Sequence, residues 1–134
     1  MDLRESIDQI CDQGSEFPIR FYKLLFERVP VAEAHFENTA LKKQYVMLTV
    51  ALHSVKDFPD LRPAMEDYLR LLGTAHKTLG VDREPFPEFI QVLLETAAEF
   101  HADDWDEHLA GQWSRALDRV EQLMLEGYET HFHA

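Results

Sequence analysis

The chain contains a single cysteine among its 134 residues. No intrachain disulfide can form, which fits a reducing compartment such as the cytoplasm. Cys11 falls on an apolar helical face and reads as a small buried hydrophobe. Basic residues are also scarce: 13 Lys and Arg stand against 25 Asp and Glu, a formal net charge of −12. That surface repels phosphate backbones and anionic lipid, so neither nucleic acid nor a membrane surface is an expected partner. No apolar run approaches the length of a bilayer span, and the opening Met-Asp-Leu-Arg-Glu is not an apolar leader. There are only five glycines, and none forms a Gly-x-Gly-x-x-Gly run, so no dinucleotide loop is expected. Strand signals are missing too. Nothing alternates with period two, and there is no Asn-Gly or Asp-Gly turn.

What is present is helical spacing almost throughout. Hydrophobic residues make up 46 % of the chain, with nine Phe, enough for one core with a large apolar interior. The pattern predicts an all-α protein with one domain over 1–134. A first helix over 2–13 buries Leu3, Ile7, Ile10 and Cys11. A second, over 16–29, carries Pro18 in its first turn and Ile19, Tyr22, Leu25 and Phe26 as its stripe. Residues 31–36 form a tight short element. Asn38 or Thr39 caps a helix over 40–55 whose inner stripe is Leu41, Gln44, Tyr45, Leu48 and Leu52. Asp57 caps the next helix, which runs to Leu79. After a turn at 81–85, Pro85 or Pro87 opens a strongly apolar helix through Phe100. Asp103 or Asp104 caps the last, over 105–130, with Trp113, Leu117, Val120, Leu123 and Met124 inward.

Residues 69–81 organise the rest. They place Leu72, His76 and Leu79 on one stripe, with Leu69 on the same side and Gly80 ending the helix. A histidine in the middle of an apolar face has two ordinary explanations. It is a core imidazole bonded to a neighbour, or it is an axial ligand to a metal or haem. This stretch alone leaves both open. Gln44 is a second oddity, a polar residue on a face that otherwise buries.

The order of marks along the chain favours the ligand. Phe21-Tyr22-Lys23-x-Leu25-Phe26, then Pro30, Phe36, Gln44-x-x-x-Leu48, His76-x-x-Leu79-Gly80-Val81 and Phe86-Pro87 resemble the bacterial single-domain globins and the haem domain of flavohaemoglobins. The match runs from about Glu16 to Tyr128. The resemblance implies a globin fold, a three-on-three helical sandwich enclosing one haem b. It implies His76 as the proximal iron ligand and Phe36 as the ring stacked on the haem. Tyr22 and Gln44 match the distal residues that act on the ligand, and Leu48 the apolar residue that crowds it. Leu72, Val81, Phe86 and Phe89 match haem-wall positions. The implied partners are dioxygen and other diatomic gases, with a separate reductase supplying electrons, and the implied assembly is a monomer or homodimer. The implied function is reversible dioxygen binding, with nitric oxide dioxygenation within reach of an external reductant. The alternative is a haem-based gas or redox sensor on the same fold.

This chain departs from the flavohaemoglobin pattern on the proximal side. A tyrosine and a glutamate ordinarily surround the proximal histidine there, whereas Phe86 and Tyr128 stand at those positions here, with Glu126 and Glu129 close by. A weaker push on the iron favours reversible binding over fast oxygen chemistry. The first helix also lacks the tryptophan often found in it. His131 and His133 make a His-x-His pair at the tail, without the supporting shell a good metal site has.

Overall fold

A computed structural model describes residues 1–37 and 40–129. Among them are seven α-helices and no strand: α1 Leu3–Cys11, α2 Glu16–Arg28, α3 Pro30–Ala34, α4 Leu41–Val55, α5 Pro63–Thr78, α6 Phe86–His101 and α7 Glu107–Glu129. The expected cap residues Asn38 and Thr39, and the His131/His133 pair, lie outside the described residues.

The helices stack as two layers of three. In one, α1 packs on α4 and α4 on α5; in the other, α2 packs on α6 and α6 on α7. Contacts of α5 with α7, α2 with α4 and α1 with α7 join the layers. This is the three-on-three sandwich expected for a globin. The short α3 leads from α2 toward α4. Pro30 sits at its first position, where a missing N–H costs nothing.

Two glycines bring α5 and α7 together. A Cβ on Gly73 would lie 2.0 Å from the Met124 carbonyl oxygen, and one on Gly127 2.0 Å from that of Arg70. No side chain fits at either place, so the two backbones meet directly. Thr74 Oγ1 donates to the Gly127 carbonyl at 2.8 Å, and Lys77 Nζ to the Tyr128 carbonyl at 2.7 Å. The helix that carries His76 is thereby held against α7.

A buried polar cluster joins the far end of the sandwich. Trp113 Nε1 donates to Ser6 Oγ at 2.9 Å, and Ser6 Oγ lies 2.6 Å from His101 Nε2. All three residues are buried. Burial lowers the His101 pKa, with Asp104 opposing, which favours the neutral ring, and Ser6 Oγ links it to the Trp113 N–H.

Several expectations need correction. Asp57 does not cap α5, which starts six residues later, at Pro63. The residue before a proline is pushed to extended backbone, and Arg62 takes φ −68°, ψ 148°, so the helix cannot extend back through it. Asp57 pairs with Arg4 instead. Neither Asp103 nor Asp104 caps α7. They lie in a 3-10 turn, 102–104, entered through Ala102 at φ 50°, and the Asp106 carboxylate accepts from the Leu109 amide at 2.8 Å. Ile19 is exposed, because it sits about 100° round α2 from buried Pro18. Leu79 is 74 % exposed, because it follows the last helical residue rather than facing inward. Cys11 is half-buried at the edge of the core, not fully enclosed.

Candidate functional site

An open cleft lies between the layers, bounded by residues from every helix except α1. Cofactor pockets are mostly apolar, and this cleft is lined in the same way. Its lining includes all nine residues singled out from the sequence: Tyr22, Phe36, Gln44, Leu48, Leu72, His76, Val81, Phe86 and Phe89. Most of the remaining lining is Leu, Ile, Val, Phe, Met and Ala.

His76 lies on the last full turn of α5. Its Nδ1 is 2.7 Å from the Leu72 carbonyl one turn back, a contact in which the ring N–H donates. That bond sets the tautomer and leaves Nε2 as the available atom. Desolvation lowers the His76 pKa; the Leu72 bond opposes this, and nearby His35 adds to it. A neutral imidazole with one free nitrogen is the state a metal ligand needs. Gly80 at φ +83° closes the helix, with its amide on the Lys77 carbonyl and the Val81 amide on the His76 carbonyl, both at 3.0 Å. This paired closure folds Val81 back onto the cleft beside His76.

Behind His76 stands a column of rings. Phe86 meets the His76 ring edge-on at 6.4 Å, and Tyr128 meets Phe86 edge-on at 5.3 Å. The Tyr128 hydroxyl donates to the Val81 carbonyl at 2.6 Å. Glu126 pairs with Arg70 and Glu129 with Arg83.

Tyr22, on α2, is packed among aromatic rings. Phe21 lies 5.0 Å away, Phe36 5.3 Å, Phe26 5.8 Å and Tyr45 5.9 Å. Burial, with a smaller push from Tyr45, raises its pKa to about 12, so the hydroxyl keeps its proton. Among the described residues, neither the Tyr22 hydroxyl nor the Gln44 amide has a side-chain hydrogen bond. Both therefore present donors to the cleft.

Sequence reasoning missed three features here. His35 lines the cleft although it is exposed, and the only signal was its place just before Phe36. Glu121 also lines it, on a face of α7 that reads as apolar. The Gly73 and Gly127 contacts had no local signal at all. His53, by contrast, is exposed and does not line the cleft.

Among the described residues, no group of three or more His, Cys, Asp and Glu could hold a bare metal ion. The His76 imidazole in a mostly apolar cleft, inside a two-layer helical sandwich, is a donor set that fits haem. Comparison with known proteins agrees. The Globin family model matches residues 19–124, and the chain belongs to the globin family. It is 29 % identical over 122 residues to an anaerobic nitrite reductase of Gossypium hirsutum, covering 79 % of this chain and 74 % of that protein. It is 26 % identical over 99 residues to a flavohemoprotein of Bacillus thuringiensis subsp. konkukian, covering 72 % of this chain but only 25 % of that longer protein. Globin CTT-VIII of Chironomus thummi thummi is 28 % identical over 71 residues, 53 % of this chain and 46 % of that one. Family membership implies haem as the cofactor. Among the described residues no helix is long and apolar enough to cross a membrane.

Proposed function

We propose that this globin holds haem b through His76 Nε2 and binds dioxygen reversibly, with Tyr22 and Gln44 as the residues that select and retain it. When bound, the haem supplies an iron centre open to diatomic gases. The observation that carries the reading is the pair of donors, Tyr22 and Gln44, without side-chain hydrogen bonds among the described residues in an otherwise apolar cleft. A Tyr22 hydroxyl that keeps its proton donates to a guest that gathers negative charge. Such a donor pair would favour dioxygen over carbon monoxide. Leu48 and Phe36 close the apolar space around the guest and exclude water, while Leu72, Val81, Phe86 and Phe89 wall the cofactor.

On the proximal side, the His76 Nδ1–H donates to a neutral backbone carbonyl rather than to a carboxylate. Such a partner orients the ring without charging it, which supports reversible binding over rapid oxygen activation. Nitric oxide dioxygenation, joining NO and O2 as nitrate, is the enzyme activity within reach, with electrons from a separate reductase. The nitrite reductase relative supports redox work with a small nitrogen oxide on this fold.

The test is a set of absorption spectra of the haem-reconstituted protein: ferric, reduced, and reduced with O2. A spectral change that O2 produces and its removal reverses is the expected result. A reduced form that O2 does not perturb, or only oxidises, would overturn the binding function.

A further inference from the structure

Haem is an apolar macrocycle with two carboxylates. The interior of this cleft cannot take a carboxylate, because burying an unpaired charge costs several kcal/mol. The acids must therefore emerge at the mouth. Two of the cleft-lining residues are exposed, His35 and Met47, and only His35 offers a donor. Among the described residues that line the cleft there is no Lys or Arg, and Glu121 adds a negative charge. The chain as a whole carries −12, so a carboxylate arriving at this surface is repelled unless something local holds it.

His35 is built for that place. It follows α3 directly, with its backbone amide held by the Ala32 carbonyl at 3.1 Å. Its ring makes no hydrogen bond or ion pair among the described residues. The next residue, Phe36, packs on Tyr22 and Phe26, which fixes the turn that presents the imidazole. Arg83 lies outside the lining and is paired with Glu129.

We propose that His35 is the side chain that binds a haem carboxylate at the mouth of the cleft. The inference rests on the haem reading above and adds a contact that sets how long the cofactor stays. It makes His35 a retention residue, distinct from the iron ligand.

The experiment follows cofactor transfer from the reconstituted protein to an excess of a tighter-binding apoglobin, with haemin and with haemin dimethyl ester, in which the carboxylates are masked. His35→Leu is expected to lose haemin roughly tenfold faster than wild type, the worth of one charge-assisted hydrogen bond. His35→Arg is expected to restore slow loss. The dimethyl ester is expected to leave wild type and His35→Leu at the same rate. Because His35 is exposed, apoprotein circular dichroism and melting are expected to match across the variants. Equal haemin loss from wild type and His35→Leu overturns the inference. So does a rate difference that persists with the ester, or a ferric spectrum that turns from low to high spin in His35→Leu, which would make His35 an iron ligand. A wild-type protein that takes up no haemin overturns the haem reading itself.

Discussion

The Tyr128 hydroxyl donates to the Val81 carbonyl at 2.6 Å, and so anchors the turn that follows the His76 helix rather than the His76 ring. Between the two stands Phe86, which has no polar atom to relay a charge. Tyr128→Phe is therefore expected to cost about 0.5–1.5 kcal/mol in urea unfolding, the worth of one neutral hydrogen bond. The iron–histidine stretching frequency of the reduced haem protein, read by resonance Raman, is expected to stay put. A shift of that band would show that Tyr128 tunes the imidazole directly.

His76→Ala removes the imidazole whose Nδ1 is held by the Leu72 carbonyl and whose Nε2 is left free in the cleft. Stable haem incorporation is expected to be lost, while helical content by circular dichroism persists, since the His76 ring lines the cleft. Retention of haem with an unaltered spectrum would refute the assignment of the ligand.

Tyr22→Phe keeps the ring contacts with Phe21, Phe26, Phe36 and Tyr45 and deletes only the hydroxyl. Dioxygen dissociation, followed by flash photolysis or stopped flow, is expected to speed up about tenfold to a hundredfold, as for loss of a bond worth ~1.5–3 kcal/mol. Carbon monoxide dissociation is expected to change far less. An unchanged dioxygen off-rate would remove Tyr22 from the site.

Ser6→Ala strands two buried groups, the Trp113 N–H and His101 Nε2. The expected cost is about 1–3 kcal/mol for each group left unsatisfied, measured by denaturant unfolding, with no change in the haem spectrum. Full stability in the variant would mean that the cluster is bridged some other way.

Both His76 and His101 have pKa values below the ordinary 6.5, each chiefly from burial. The unfolded chain therefore binds more protons than the folded one just below that pH, and stability rises with pH through the window. Their contribution is complete above about pH 6.5 and is lost as pH falls toward the folded values. The apoprotein urea midpoint is expected to drop between about pH 7.5 and about pH 5.5, and less so in His101→Gln. A flat profile would contradict the burial of both rings.

Local chemistry alone decided the helices and the order of marks along them. The spacing of Leu3, Ile7 and Ile10, or of Leu41, Gln44, Tyr45, Leu48 and Leu52, follows from 3.6 residues per turn and needs no distant partner. Gly80 as a helix end is equally local, since only its positive φ matters. The ordered set Tyr22, Phe36, Gln44, Leu48, His76 and Phe86 was legible as a resemblance, and all six line one cleft. Tertiary packing decided the rest. Ile19 and Leu79 have the right residue type for a core but lie at a helix edge and just past a helix end, where solvent reaches them. Ser6 lies 95 positions from His101 and 107 from Trp113, and no periodicity announces that one hydroxyl serves both rings. Gly73 and Gly127 read as weak helix residues until two backbones are brought into contact. His35 reads as one surface histidine among seven. Only the packing of the helices brings it onto the lining of the cleft shared by His76, Gln44 and Leu72.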